Sequence, residues 1–224
     1  MSQKQVFSVG KPEQVALTRR DRELLETLAR RVRVLSVSQV ARTWWPDAEA
    51  PNRAALARLR QLQRNSLITI ESAFAHPELP LESPVATWLP SKRAPNFVET
   101  SRKVRSRWRG TAVPETIVVI TNQAAAEFGG YPSPALRTDE ITHDLHLAAV
   151  YLVYRRREPE LARDWVSERI VRKTRPAAKG PIPDAMIRAS STLRVVEFAG
   201  AYSTERLQVF HEFCATRAWP YELW

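Results

Sequence analysis

The chain has 224 residues, 44% of them hydrophobic and 26% charged, which excludes a disordered polymer and allows one large domain or two small ones. Its one cysteine, Cys214, excludes an internal disulfide framework and a multi-cysteine zinc site. Residues 1–110 hold 20 Lys and Arg against 10 Asp and Glu, while residues 111–224 hold 14 of each, so the first half is predicted to meet a polyanion, nucleic acid first.

Residues 1–16 lack an apolar stretch behind their lysines and are expected to be a flexible start, not a signal peptide. Leu24, Leu25 and Leu28 then recur at helical spacing behind Thr18 and Asp21, a capping-box pair, and predict a helix from Thr18 to Arg31. Ser36 or Ser38 starts a brief second helix that Pro46 ends after Trp44 and Trp45. The segment NRAALARLRQLQRNSL is a third helix, with Ala55, Leu56, Leu59 and Leu62 on one face. At about 100° per residue, Arg53, Arg60 and Arg64 fall within about 40° of one another, away from that face. A solvated helix presents such a stripe too. Its place on the third helix, with Asn52 at its start, points instead to a helix that enters the major groove of double-stranded DNA.

SLITIES and VATWLPS read as two strands flanking a Pro-bounded loop, the outline of a wing. From Ser91 to Arg109, Lys92, Arg93, Arg102, Lys103 and Arg105 either follow a phosphate backbone or form a mobile basic loop. TIVVITNQAAAEFGG reads as a last wing strand and a short helix stopped at Gly129 and Gly130, with a domain boundary at Tyr131 to Pro134. Residues 17–130 are thus expected to form a winged helix-turn-helix domain and residues 135–224 a small α/β domain, an α+β chain overall. Each domain is expected to bury its own core.

In the second half, THDLHLAAVYLVYRRR has helical spacing, but its apolar stretch LHLAAVYLVY is only about half a bilayer span, so no membrane segment is expected and the chain reads as cytoplasmic. DWVSERIV, PDAMIRA and LRVVEFAG read as three strands, Ser203 to Thr216 as a helix and PYELW as a closing strand. This order sets Glu168 on the first strand, Asp184 at the start of the second and Glu197 near the end of the third. Carboxylates on adjacent strands can gather oxygen ligands for magnesium, which activates water in phosphodiester cleavage. His143, Asp144 and His146 form a weaker metal candidate, and Cys214 is expected to pack as a small hydrophobe.

With the basic half, the PDA after DWVSER and the VEF before a helix, the chain resembles the replication-relaxation family of plasmids and mobile elements from about Leu17 onward. That resemblance implies a winged helix joined to a restriction-endonuclease-like domain. It maps Asp184 and Glu197 onto the carboxylates of that motif, with Ala199 where the motif has a lysine. Loss of that lysine removes a large part of the electrostatic catalysis unless Lys173 or Lys179 reaches in. The expected protein therefore binds DNA without cleaving it and without a cofactor, as a transcriptional regulator or an accessory to plasmid replication or mobilisation. Its partners would be double-stranded DNA, a second copy of itself, or a replication or mobilisation protein. Two alternatives stand beside this one, a magnesium-dependent nuclease using Asp184, Glu197 and Glu168, and a module that docks on an acidic protein.

Overall fold

The strands of the computed structural model, which describes residues 15–132, 134–174, 181–189 and 192–224, divide between two sheets. The first sheet grows from short helices whose starts are fixed locally. Helix α1 (Arg19–Arg30) opens with the expected reciprocal cap: Thr18 accepts from the Asp21 N–H, and Asp21 accepts from the Thr18 N–H. Ser36 and Gln39 repeat the device between β1 (Leu35–Ser36) and α2 (Val37–Trp44). Helix α3 (Pro51–Arg64) has no side-chain cap; Pro51 in its first turn supplies the fixed φ a helix start needs. Ala55, Leu59 and Leu62 of α3 are fully buried, as their spacing predicts.

Strand β2 (Ile68–Ala75) leads out of α3, but its partner is not the expected one. Strand β3 (Ala86–Trp88) joins the second sheet, where it pairs with β8 (Tyr221–Leu223). Helix α4 (Phe97–Ser106) and β4 (Val113–Ile120) follow, and β4 pairs with all eight residues of β2, from Ile68↔Ile120 to Ala75↔Val113. The longer ladder wins, while Trp88 finds its own burial stacked on Tyr221, with ring centroids 5.6 Å apart. Strand β1 adds to the other edge of β4, giving the order β1-β4-β2. Helix α5 (Asn122–Glu127) stops before Gly129, whose φ of +72° suits glycine.

The basic segment 91–109 is thus no mobile loop. Asn96 caps α4, which buries Thr100, Ser101 and Val104, and the Ser101 hydroxyl donates to the Tyr202 carbonyl at 2.9 Å. The reason is visible in the helical spacing of Phe97, Thr100, Ser101 and Val104, an inward stripe between the cations.

Helix α6 (Thr138–Arg157), α7 (Pro159–Arg163), β5 (Trp165–Ser167), α8 (Glu168–Thr174), β6 (Ala185–Ala189), β7 (Thr192–Glu197), α9 (Thr204–Ala215) and β8 complete the chain. Strands β5, β6 and β7 run antiparallel in turn, α9 crosses over, and β8 returns parallel to β7; the order is β3-β8-β7-β6-β5. One expectation changes here: Glu168 begins a helix instead of lying on a strand. The closing strand β8 sits between β3 and β7. Residues 1–14, Lys179 and Ser190 lie outside the described residues.

Helix α6 is buried nearly all round, which an apolar helix of this kind requires. Ile141 and Leu145 pack with Val34, Ala75 and Ile117 on the first sheet. His143, His146 and Tyr154 meet Asp184, Phe198 and Glu222 of the second. At about 100° per residue the two sets are roughly opposite, so α6 lies between the sheets. No described helix, α6 included, is long and apolar enough to cross a membrane.

Because α6 is shared, one core cluster is common to both sheets, while a second, with Met186, Val195, Phe210 and Tyr221, belongs to the second sheet. One apolar cluster runs from Leu24 and Leu28 through Ala148 and Tyr151 to Trp165, Ile187 and Val196. Polar bonds cross the same seam: the Trp165 indole donates to the Arg31 carbonyl at 3.1 Å, Arg31 donates back to the Trp165 carbonyl, and Arg169 donates to the Ala29 carbonyl at 2.9 Å. Gly130 touches α1 so closely that a Cβ there would lie 2.2 Å from the Ala29 oxygen. The expected boundary at Tyr131 to Pro134 is a place where the chain crosses from one sheet to the other, after β3 and α4 have already crossed once.

Candidate functional site

Two regions concentrate charge. On α3, Asn52, Arg53, Arg60 and Arg64 are all exposed, and the three arginines form no ion pair among the described residues. Arg58, on the same helix, does the reverse. It donates to both oxygens of the buried Asp21, at 3.0 and 2.6 Å, and to the Ala16 carbonyl at 2.8 Å, which ties α3 to the start of α1. Burial alone would raise the Asp21 pKa, but hydrogen bonds from Arg58 and Thr18 outweigh it and hold the carboxylate below its usual value.

The other predicted DNA contacts do not continue this surface. Lys92 and Arg93 follow β3, and Arg102, Lys103 and Arg105 lie on the exposed face of α4, all carried by the second sheet. Lys103 is paired with Glu99 at 2.8 Å.

The second region is a cavity of about 910 Å³ between the start of α6, α8, the facing ends of β6 and β7, and the start of α9. Asp184 and Glu197 do meet there. The antiparallel register that pairs Ala185 with Val196 sets them side by side, and the Asp184 N–H donates to Glu197 Oε2 at 3.1 Å. Tyr202 donates its hydroxyl to Glu197 Oε1 at 2.6 Å. Asp184 Oδ2 accepts from the Phe198 N–H at 2.8 Å and lies 3.1 Å from His143 Nε2. His143 Nδ1 is 3.5 Å from Asp144, and Arg33, reaching in from the loop after α1, is 3.1 Å from Asp144 and 2.8 Å from Glu140. Glu168 lines the same cavity but is paired with Arg172.

These contacts decide protonation. Burial, reinforced by the neighbouring Asp184 carboxylate, pushes Glu197 up to about 8. For His143 burial acts downward, but Asp184 and Asp144 outweigh it and raise the imidazole well above its ordinary value. His143 is therefore a cation held between two carboxylates.

The donor set does not fit a resident magnesium ion. Both Glu197 oxygens and one Asp184 oxygen already face hydrogen-bond donors or a cation, and Ala199, at the lysine position of the resembled motif, is fully buried in the apolar packing against α9. Among the described residues no group of three or more His, Cys, Asp or Glu side chains is placed to hold a metal. Lys173 stands near Tyr131, its Nζ 5.9 Å from the ring. The second metal candidate also separates: His146 bonds the Thr142 carbonyl at 2.6 Å and accepts from the Leu79 N–H at 3.1 Å, pointing away from His143's partners. Cys214 is fully buried with its thiol pushed up to about 12 by burial, an inert packing residue.

Sequence reasoning did not link His143, Tyr202, Arg33 or Arg206 to Asp184 and Glu197. A signal existed for His143, a polar residue one position from Asp144 in a helix whose centre is apolar. The sequence matches no protein-family model, and no curated protein or solved structure matches the chain.

Proposed function

We propose that the chain is a double-stranded DNA-binding protein in which α1 to α3 with β1, β2 and β4 form a winged helix, and α3 is the helix that enters the major groove. The single observation that carries this reading is the set of exposed arginines on α3, Arg53, Arg60 and Arg64, without an ion pair among the described residues and backed by buried Ala55, Leu59 and Leu62, with Leu56 half-buried beside them. The order helix, strand, helix, helix, strand, strand with sheet order β1-β4-β2 supports it. So does the far end of the β2–β4 ladder. Ile70 and Val118 share a face with the α3 core, and beyond them that face carries Ser72, Thr116, Pro114 and Phe74, the last 62% exposed, as a wing would.

Three antiparallel strands, a crossover helix and a strand parallel to β7, all following α6, support reading the second sheet as the endonuclease-like domain that the resemblance implies. Its role in this proposal is that of a scaffold or partner-binding domain, because the acidic pair is engaged by protein donors and no cation stands at residue 199. The biological output proposed is transcriptional control or assistance to replication or mobilisation of a mobile element.

The test is a gel-shift titration of labelled duplex DNA across a salt series, with magnesium in parallel tubes. Binding that weakens steeply with salt while the DNA stays intact is expected. Magnesium-dependent products that vanish in Asp184→Ala would replace this reading with the nuclease, and the absence of binding at low salt would favour an acidic protein partner.

A further inference from the structure

The cavity holds cations that its acids do not use up. Arg33 is matched by Asp144, Arg137 by Glu140, Arg172 by Glu168 and His143 by Asp184. Glu197 pairs with none of them, since its oxygens face the Tyr202 hydroxyl and the Asp184 amide. Two guanidinium groups remain without a carboxylate partner among the described residues. Arg169 donates only to carbonyls, those of Leu28, Ala29 and Tyr131. Arg206 lies over the Tyr202 ring, 3.7 Å from its centroid, and donates to that residue's hydroxyl at 2.8 Å. The cavity is thus cationic by two charges with Glu197 protonated and by one with it ionised.

Its walls are not uniformly polar. Ile182, Phe210 and Val209 line the side next to Arg206, and Val209 is 57% exposed one helical turn from it. A large apolar side chain left in water beside a guanidinium that has no carboxylate partner among the described residues, at a cavity of about 910 Å³, suits a ligand with an anionic head and a flat or apolar body. A phosphate monoester carries a charge of about −1.5 to −2 at neutral pH, which matches the cationic excess.

We infer that this cavity binds a phosphate monoester, with the phosphate at Arg206 and Arg169 and the rest of the ligand against Ile182 and Val209. The same chemistry is offered by a free nucleotide and by the 5′-phosphate of a DNA strand. The inference stands apart from the α3 reading, because none of these residues belongs to the first sheet or its helices.

Isothermal titration calorimetry on the full chain, with adenosine 5′-monophosphate, adenosine and inorganic phosphate as probes, tests it. The monophosphate should bind and adenosine should not. Arg206→Gln should weaken binding about tenfold or more, the scale of one charge-assisted hydrogen bond, and Val209→Asp, at an exposed position, should abolish it by repulsion. A short 5′-phosphorylated oligonucleotide against its 5′-hydroxyl twin identifies the source: a preference for the phosphorylated strand over the free nucleotide assigns the site to DNA ends, the opposite preference to a small ligand. Either variant binding like wild type, or no probe binding better than adenosine, overturns the proposal. Arg60→Ala is expected to leave monophosphate binding unchanged and to weaken only duplex binding, so the two readings fail separately.

Discussion

On α3, Arg53, Arg60 and Arg64 stand in water with no ion pair among the described residues, whereas between the sheets Arg33 and His143 are held by Asp144 and Asp184. The contrast is sharpest inside α3, where Arg58 grips the buried Asp21 and Arg60, two residues on, touches no acid. Screening explains what each arrangement can do. An exposed cation loses almost nothing by standing unpaired, so it stays available to a polyanion. A largely buried charge held by a buried carboxylate, as Arg33 is by Asp144, serves the fold and is not free for a partner. Removing a charge of such a pair should therefore cost stability, and removing one from the exposed stripe of α3 should cost affinity.

The largest expected effect is at the cavity floor. Asp184→Ala leaves the Phe198 N–H without its acceptor and the His143 cation with Asp144 alone, and should destabilise the protein by about 3–5 kcal/mol in urea unfolding. Asp184→Asn, which keeps an acceptor for the Phe198 N–H, should lose less; equal losses would mean that the charge of Asp184 alone matters. Next comes Arg58→Ala, which strands the buried Asp21 and should cost about 3 kcal/mol. Arg60→Ala should stay within about 0.5 kcal/mol of wild type. Comparable losses at the two positions would erase the distinction between paired and free arginines.

A smaller effect follows from protonation. Glu197 has an ordinary value of 4.5 and a folded value of about 8, so between these the folded state holds a proton that the unfolded state has lost. Its contribution to stability is present at low pH and fades as pH rises through about 8. Raised His143 acts in the same sense, while buried His146, with its pKa lowered, acts in the opposite one. The difference in unfolding free energy between wild type and Glu197→Gln isolates the carboxyl and should shrink, wild type losing ground, as pH rises across that window. A difference independent of pH would place an ordinary carboxylate there.

What the sequence showed was local. The Thr18–Asp21 cap, the buried face of α3 and the helix stop at Gly129 each rest on residues within one or two turns of one another. Asp184 and Glu197 were also legible as neighbours, because β6 and β7 form a hairpin whose register joins positions a fixed distance apart. The misplacements involve distant pairing. Nothing near Trp88 indicates that its strand will pair with Tyr221, and nothing near His143 indicates that Asp184, 41 residues away, will be its counter-ion. The shared core had the same origin: α6 looked like a helix of the second half, and its two opposite apolar faces, one for each sheet, were not separated.

The central claim is that the free arginines of α3 contact phosphate or base edges of duplex DNA. The most direct measurement is the slope of log Kd against log salt for wild type and for the Arg60→Ala/Arg64→Ala double variant, by fluorescence anisotropy on one labelled duplex. Wild type should bind with a steep slope, and the double variant, equally stable, should bind more weakly with the slope reduced by about 2 if both arginines contact phosphates. Unchanged affinity and slope in the double variant would show that α3 does not face the DNA.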